Sequence, residues 1–236
     1  MFRSSRVSLR LFAAAASLLP AYAALAYVVV PAAWKRYERW QPLRDSSNVT
    51  YTAERIGADP LNVALVGTRE EIADAMRAAG WTEADKITFR SGLRDAGSIL
   101  FDRPYTSAPV STHYLFGRPQ DLAFERVVGR SPRRRHHVRL WQAGSDTLGR
   151  PLWIGAATYD RSLGLSRYTG EVMHHIDPRV DFEREKLFGD LREAERLVDV
   201  DRLDGFRPAG PGVNGGGDVY ETDGGLLIGR LAPRRR

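Results

Sequence analysis

From Leu11 to Trp34 the chain runs for 24 residues without a charged side chain, LFAAAASLLPAYAALAYVVVPAAW. Arg3, Arg6 and Arg10 precede this run, and Lys35, Arg36, Arg39 and Arg44 follow it. About 20 apolar residues cross the hydrocarbon core of a bilayer as a helix, so a transmembrane anchor is expected here. Tyr27 and Trp34 lie toward one end, where amphipathic aromatic rings favour the membrane interface. Pro20 is expected to kink the helix, which bilayer helices tolerate. A cleaved signal peptide shares several of these features, with Leu11–Leu19 as its apolar region and Ala21-Tyr22-Ala23 or Ala24-Leu25-Ala26 as its cleavage site. The apolar run, however, continues through Val28-Val29-Val30-Pro31-Ala32-Ala33, and a mature chain beginning there would expose it. An uncleaved, single-pass anchor in the cell membrane is the expectation. The basic flanks barely discriminate orientation; the signal-like N-terminal region places the soluble domain outside the cytoplasm.

The formal net charge of +6 belongs to this membrane-proximal part. Residues 1–44 alone account for it, and residues 45–236 carry 28 basic and 28 acidic side chains. A nucleic-acid module concentrates positive charge in its folded domain, so no nucleic-acid partner is expected. The partners read from the chain are the lipid bilayer and an anionic small molecule or other envelope proteins. With no cysteine in the chain, thiol nucleophiles, zinc ribbons and thiolate-held iron–sulfur clusters are excluded. Whether a cofactor is bound is not encoded in any motif of the sequence, and the cofactor is left unknown.

The patterning divides the chain into a basic N-terminal segment (1–10), the anchor (11–34), a juxtamembrane linker (35–54), a main domain (55–206) and a glycine-rich C-terminal extension with a basic tail (207–236). Leu61–Gly67 reads as a buried strand. Thr68 and Glu71 form a capping box, and Ile72, Ala75, Met76 and Ala79 fall on one helix face that Gly80 stops. Phe89, Leu93, Ala96 and Leu100 repeat the helical spacing. Gly67 lacks the companions of a phosphate loop. From residue 110 the period becomes two. His113–Gly117 and Leu122–Val128 are expected as strands about a turn at Arg118-Pro119-Gln120-Asp121, and Arg135–Ala143 and Pro151–Tyr159 as strands about a turn at 144–149. Thr169–Ile176 is a further strand. Asp177 is the expected cap of a helix lined by Leu187, Leu191, Ala194 and Val198, with Pro178 at its first position. Asp218–Thr222 and Leu226–Leu231 close the chain as strands. The fold class is α+β: a mainly antiparallel sheet with about three packed helices, preceded by one N-terminal transmembrane helix.

Two histidine pairs stand out, His136-His137 and His174-His175, four of the five histidines. Strand neighbours point to opposite faces, so His137, Arg139 and Trp141 share a face. That face offers an imidazole, a guanidinium and an indole to an anionic ligand; the alternative is a solvated basic edge. The second pair, with Asp177, Asp181 or Glu183, has donor types suited to a metal, but the spacing matches no ligand rhythm and no metal site is assigned. Asp160 and Arg167 flank a glycine-containing loop beside the second pair. The candidate ligand-binding residues are therefore His137, Arg139, His174, His175, Asp160 and Arg167, with no catalytic residue assigned. On an open strand face, His137→Ala would change stability by less than about 1–2 kcal/mol. Without a Gly-x-Ser-x-Gly elbow, serine hydrolysis is not expected.

Several segments, in this order, resemble the LssY C-terminal domain family. They are Asp59-Pro60-Leu61-Asn62-Val63-Ala64-Leu65-Val66-Gly67, Ala79-Gly80-Trp81, Arg103-Pro104-Tyr105 with Ala108-Pro109-Val110-Ser111, and Arg134-Arg135-His136-His137-Val138-Arg139-Leu140-Trp141. Trp153-Ile154-Gly155-Ala156-Ala157-Thr158-Tyr159-Asp160-Arg161, Gly164-Leu165-Ser166-Arg167-Tyr168-Thr169-Gly170 and His174-His175-Ile176-Asp177-Pro178 complete the set. The resemblance implies a bacterial membrane-associated domain, found behind a single anchor or fused to membrane modules of the phosphatidic-acid-phosphatase and DedA types. The family name comes from a candidate type I secretion component. No phosphatase membrane core is present in this chain and no catalytic set is carried over. The function expected is that of a membrane-anchored envelope domain that binds an anionic ligand or partner. The alternative is a hydrolase or transferase acting on a phosphorylated lipid or sugar at the membrane.

Overall fold

The structure, a computed structural model, describes residues 18–84, 111–129, 134–165 and 172–233. The chain separates into two units, Met1–Gln41 and Pro42–Arg236.

In the first unit, residues 18–39 are helical (α1). Its stretch Leu18–Lys35 has a mean hydropathy of 1.3, no buried residue, and the length and composition to cross a membrane. The turn Leu25–Val29 is a π turn, closed by the Val30 N–H on the Leu25 carbonyl. Pro31 follows at the start of Val30–Arg39. Its ring would collide with the carbonyl four residues back in a regular helix, and the wider turn relieves that collision.

The second unit is built on an eight-stranded sheet. Its strands are β3 (Val63–Val66), β4 (Thr82–Glu83), β7 (Leu122–Val127), β8 (Arg135–Ser145), β9 (Pro151–Leu165), β10 (Val172–Ile176), β11 (Leu197–Leu203) and β14 (Leu226–Leu231). The order is β11-β14-β3-β9-β8-β7-β4, with β10 also on β9. Only β14 and β3 pair in parallel; the remaining pairs are antiparallel. The α+β class and the mainly antiparallel sheet are therefore observed.

One sheet face carries the helices α3 (Arg69–Ala78) and α4 (Val180–Glu193), preceded in the chain by the single turn α2 (Gln41–Arg44). Ile72, Ala75 and Met76 of α3 and Leu187, Phe188 and Leu191 of α4 join Val63, Leu65, Val138, Leu140 and Trp153 in the apolar core. The Thr68–Glu71 capping box starts α3 as expected. Gly80, at φ +79°, ends it: Gly80 N–H bonds the Arg77 carbonyl and Trp81 N–H the Met76 carbonyl, which satisfies the last turn. The helix read from Phe89 to Leu100 lies outside the described residues.

The opposite face is partly covered by a second sheet of β1 (Val49–Tyr51), β2 (Gly57–Pro60), β5 (Tyr114–Leu115) and β6 (Arg118–Pro119), in the order β2-β1-β5-β6. The strands expected to form one hairpin are thus divided between the two sheets. The turn falls at Phe116-Gly117, both at positive φ (54° and 72°), the geometry of a two-residue hairpin. This sends Arg118-Pro119 back along β5 and leaves β7 to pair with β8. The β8–β9 hairpin forms as read.

The flanks of the expected main domain are part of this fold. β1 comes from the linker. The C-terminal extension supplies β14 inside the large sheet, together with β12 (Gly210–Val213) and β13 (Val219–Thr222), which form a separate ladder.

Helix α4 differs at both ends from the sequence reading. Its cap is Arg179, not Asp177. The Pro178 carbonyl accepts the Glu221 N–H of β13, and Asp177 Oδ1 accepts the Arg179 N–H, so the chain at 177–179 is held in a turn. At the other end Glu195 adopts φ 55°, with Arg196 N–H on the Leu191 carbonyl. Val198 consequently lies in β11 and is 64% exposed.

Candidate functional site

Strand alternation on β8 directs His136, Val138 and Leu140 to the helix side and Arg135, His137, Arg139 and Trp141 to the other. His136 lies against Tyr159 and places Nδ1 2.8 Å from Glu183 of α4. The second face is not an open edge. His137, Arg139 and Trp141 are all buried, because the second sheet and the segment at Ser111 lie over them. Trp141 Nε1 donates to the Arg118 carbonyl of β6. Arg139 donates to Asp59 Oδ2 of β2 (2.8 Å) and, through two further nitrogens, to the carbonyl and hydroxyl of Ser111. Its guanidinium is therefore committed within the fold, and the anion clamp expected at Arg139 is not available.

The polar centre forms where β7, β8, β9 and β10 run side by side. Arg135 lies opposite Asp160 and His137 opposite Thr158 on β9, and Glu125 of β7 lies opposite His137. Asp160 is 1% exposed. His137 Nε2 stands 3.1 Å from its Oδ1, and His174 Nδ1 stands 3.3 Å from its Oδ2. Arg135 bonds Glu125 Oε2 at 3.0 Å, reaches His174 Nε2 at 3.3 Å and holds Nε 4.0 Å from Asp160. Asp59 extends the centre, with His113 Nδ1 3.5 Å from its Oδ2 and 3.1 Å from Thr50 Oγ1.

The charge states follow from these surroundings. Burial alone would raise the Asp160 carboxyl, but His137, His174 and Arg135 outweigh it and hold its pKa below the usual carboxylate value. His174 is lowered to about 4, chiefly by burial, against the attraction of Asp160. At neutral pH it is uncharged. With Nε2 accepting from the Arg135 guanidinium, its single proton sits on Nδ1, facing Asp160. His113 is lowered well below its ordinary value by burial and by Arg139. Burial also lowers Arg139, while Asp59 and Asp160 oppose that shift.

Ion-pair proximity is not matched by hydrogen-bond alignment. Among the described residues neither Asp160 oxygen has an aligned donor, and His137 Nε2 and the buried Thr158 hydroxyl have no hydrogen-bond partner. Buried polar groups are nearly always satisfied. Four such atoms lie here on three facing residues, Asp160, His137 and Thr158.

Of the six residues singled out in the sequence, His137, Asp160 and His174 meet in this centre and Arg139 borders it. His175 points to the opposite face, with Nδ1 2.7 Å from Asp218. Arg167 lies outside the described residues. The carboxylates weighed as metal ligands are dispersed: Glu183 faces His136, Asp181 bonds Arg184 and Thr222, and Asp177 bonds Arg179. Among the described residues no group of three or more His, Asp or Glu side chains is placed to hold a metal ion. Sequence reading missed Asp59, His113, Glu125 and Arg135. Period-two spacing marks Glu125 and Arg135 as inward-facing, but no local signal links them.

No curated protein and no solved structure matches the chain. The family model described as LssY C-terminus matches residues 40–226, a span that begins ahead of β1 and ends at the first residue of β14. The match covers well over half of the chain, and the chain belongs to the LssY C-terminus family.

Proposed function

We propose that the chain is a single-pass, membrane-anchored envelope domain that binds a small polar ligand at the His137–Thr158–Asp160–His174 centre. One observation carries this reading: an ionised, buried carboxylate between two imidazoles has no aligned hydrogen-bond donor among the described residues, beside a buried hydroxyl with no partner there either. The centre contains three carboxylates (Asp59, Glu125, Asp160) and two guanidiniums (Arg135, Arg139). It therefore suits a ligand that brings hydrogen-bond donors, such as a hydroxylated molecule, better than the bare anion expected from His137 and Arg139. His174, its side chain 22% exposed, is the most accessible member of the centre.

Acid–base turnover is the second reading, favoured by the Asp160–His137 contact. A carboxylate oxygen 3.1 Å from an imidazole nitrogen is close enough to stabilise the imidazolium that a general base becomes.

The test uses the full-length chain in detergent, screened by thermal shift against polyols, sugars and sugar phosphates, with Asp160→Asn in parallel. Stabilisation of the unaltered protein that disappears in Asp160→Asn is expected. Equal stabilisation of both proteins would remove the centre from consideration. Loss of ligand over time, with a product seen by mass spectrometry, would favour turnover over binding. For the anchor, alkaline carbonate should leave the chain in the membrane pellet; release with an N-terminus at Ala24 or Tyr27 would identify a signal peptide.

A further inference from the structure

The register between β9 and β10 slips at one place. His175 lies opposite Ser162 and Ile176 opposite Asp160, so Arg161 is an extra residue on β9. A bulge of this kind re-aims a side chain. Asp160 enters the buried centre, and Arg161 lines an open cleft of about 460 Å³ together with Pro178, Arg179, Asp218, Val219 and Glu221. That volume lies within the range of small-molecule sites.

The charges in the cleft are not equivalent. Asp218 is committed within the fold: Oδ1 meets His175 Nδ1 at 2.7 Å, and Oδ2 accepts the Ile176 N–H. Arg179 donates through Nε to Asp177 and lies over the Phe182 ring at 4.8 Å. These two contacts hold the guanidinium in place, while its terminal amino groups have no partner among the described residues. The exposed Arg161 guanidinium likewise has none there. Glu221 adds an exposed carboxylate, and Val219 and Pro178 an apolar wall.

We infer that this cleft binds a phosphate-bearing small molecule or headgroup, with Arg161 and Arg179 on the phosphate and Glu221 accepting from a neighbouring hydroxyl. Two guanidinium forks offer the planar donor geometry that phosphate oxygens accept. The assignment is independent of the Asp160 centre, since it uses the bulged residue that points away from it.

Isothermal titration of the full chain with glycerol 3-phosphate, inorganic phosphate and glycerol tests it. Glycerol 3-phosphate should bind most tightly and glycerol not at all. Arg161→Gln and Arg179→Gln should each weaken the binding about tenfold, as loss of a charged hydrogen bond does, with unchanged melting curves because both side chains are exposed. Glu221→Gln should narrow the preference for glycerol 3-phosphate over inorganic phosphate. Repeating the titration in nanodiscs separates the two sources of phosphate. Weaker binding in phosphatidylglycerol than in phosphatidylserine discs of equal charge would identify a glycerol-phosphate headgroup as occupant, and equal binding a free phosphate compound. No measurable binding of any phosphate probe, or affinity that neither Arg substitution alters, would overturn the inference.

Discussion

His174 Nδ1 and Asp160 Oδ2 lie 3.3 Å apart on neighbouring strands, a contact made possible by a change of partner along β9. Its first half pairs with β3 through residues Leu152–Gly155, and its second half pairs with β10 from Asp160 onward. Between the two ladders, Asn62 substitutes for a strand. Its side-chain amide donates to the carbonyls of Ala157 and Val180, and its oxygen accepts the Ala157 N–H. β10 can thus join the same sheet and bring His174 to the carboxylate without leaving Ala157 unsatisfied.

The protonation of His174 makes stability depend on pH. Its pKa is about 4 in the folded protein against an ordinary 6.5, so the unfolded chain takes up a proton in this window that the folded one does not. Stability should therefore fall as pH drops from about 6.5 to 4, by about 3 kcal/mol from this group. His113, lowered in the same sense, adds to the slope. Urea midpoints between pH 4 and 7.5 should show the decline, and His174→Gln should flatten it. An unchanged slope in that variant would refute the assignment.

His137→Ala should cost about 3–5 kcal/mol, not the small change expected at a solvated edge. The imidazole is 5% exposed, and its removal leaves the Asp160 carboxylate with fewer compensating groups in a buried site. Combining it with Asp160→Asn should recover more than about 1 kcal/mol relative to additivity. A double-mutant cycle by chemical denaturation measures this; additive costs would mean that the two side chains do not interact.

Asn62→Ala should destabilise the domain by about 2–4 kcal/mol, since it strands the Ala157 N–H and carbonyl away from water. Asn62→Asp should do no better, because a carboxylate can accept from Ala157 but cannot donate. Amide exchange at Ala157 would report the local opening. Wild-type protection there in Asn62→Ala would contradict the proposed role.

Gly155 lies under the Arg139 backbone. A Cβ at this position would come to 2.2 Å of the Arg139 carbonyl oxygen and 2.7 Å of Leu140 Cδ2. Gly155→Ala must spread β8 from β9 in the row beside the polar centre, at a cost of about 1–3 kcal/mol. Thermal unfolding should reveal the loss, and an unchanged melting temperature would show that the two strands separate freely there.

The elements legible in the sequence are those set by interactions within a few residues. The apolar run, the Thr68–Glu71 box, the Gly80 stop and the long β8–β9 hairpin each have a local cause. Strand alternation likewise placed His137 and Arg139 on one face of β8. Whether that face was wet or dry could not be read, because exposure depends on β2, β6 and Ser111 arriving from elsewhere in the chain. Their arrival turned an expected anion surface into a buried network, in which Asp59 takes Arg139 and Asp160 takes two imidazoles. The end of α4 and the place of β14 were decided in the same way, by carbonyls and sheet edges that only distant segments could satisfy. Local sequence chose the side chains and their direction; the tertiary structure chose their partners, because ion pairs and strand ladders form between residues that are close in space rather than along the chain.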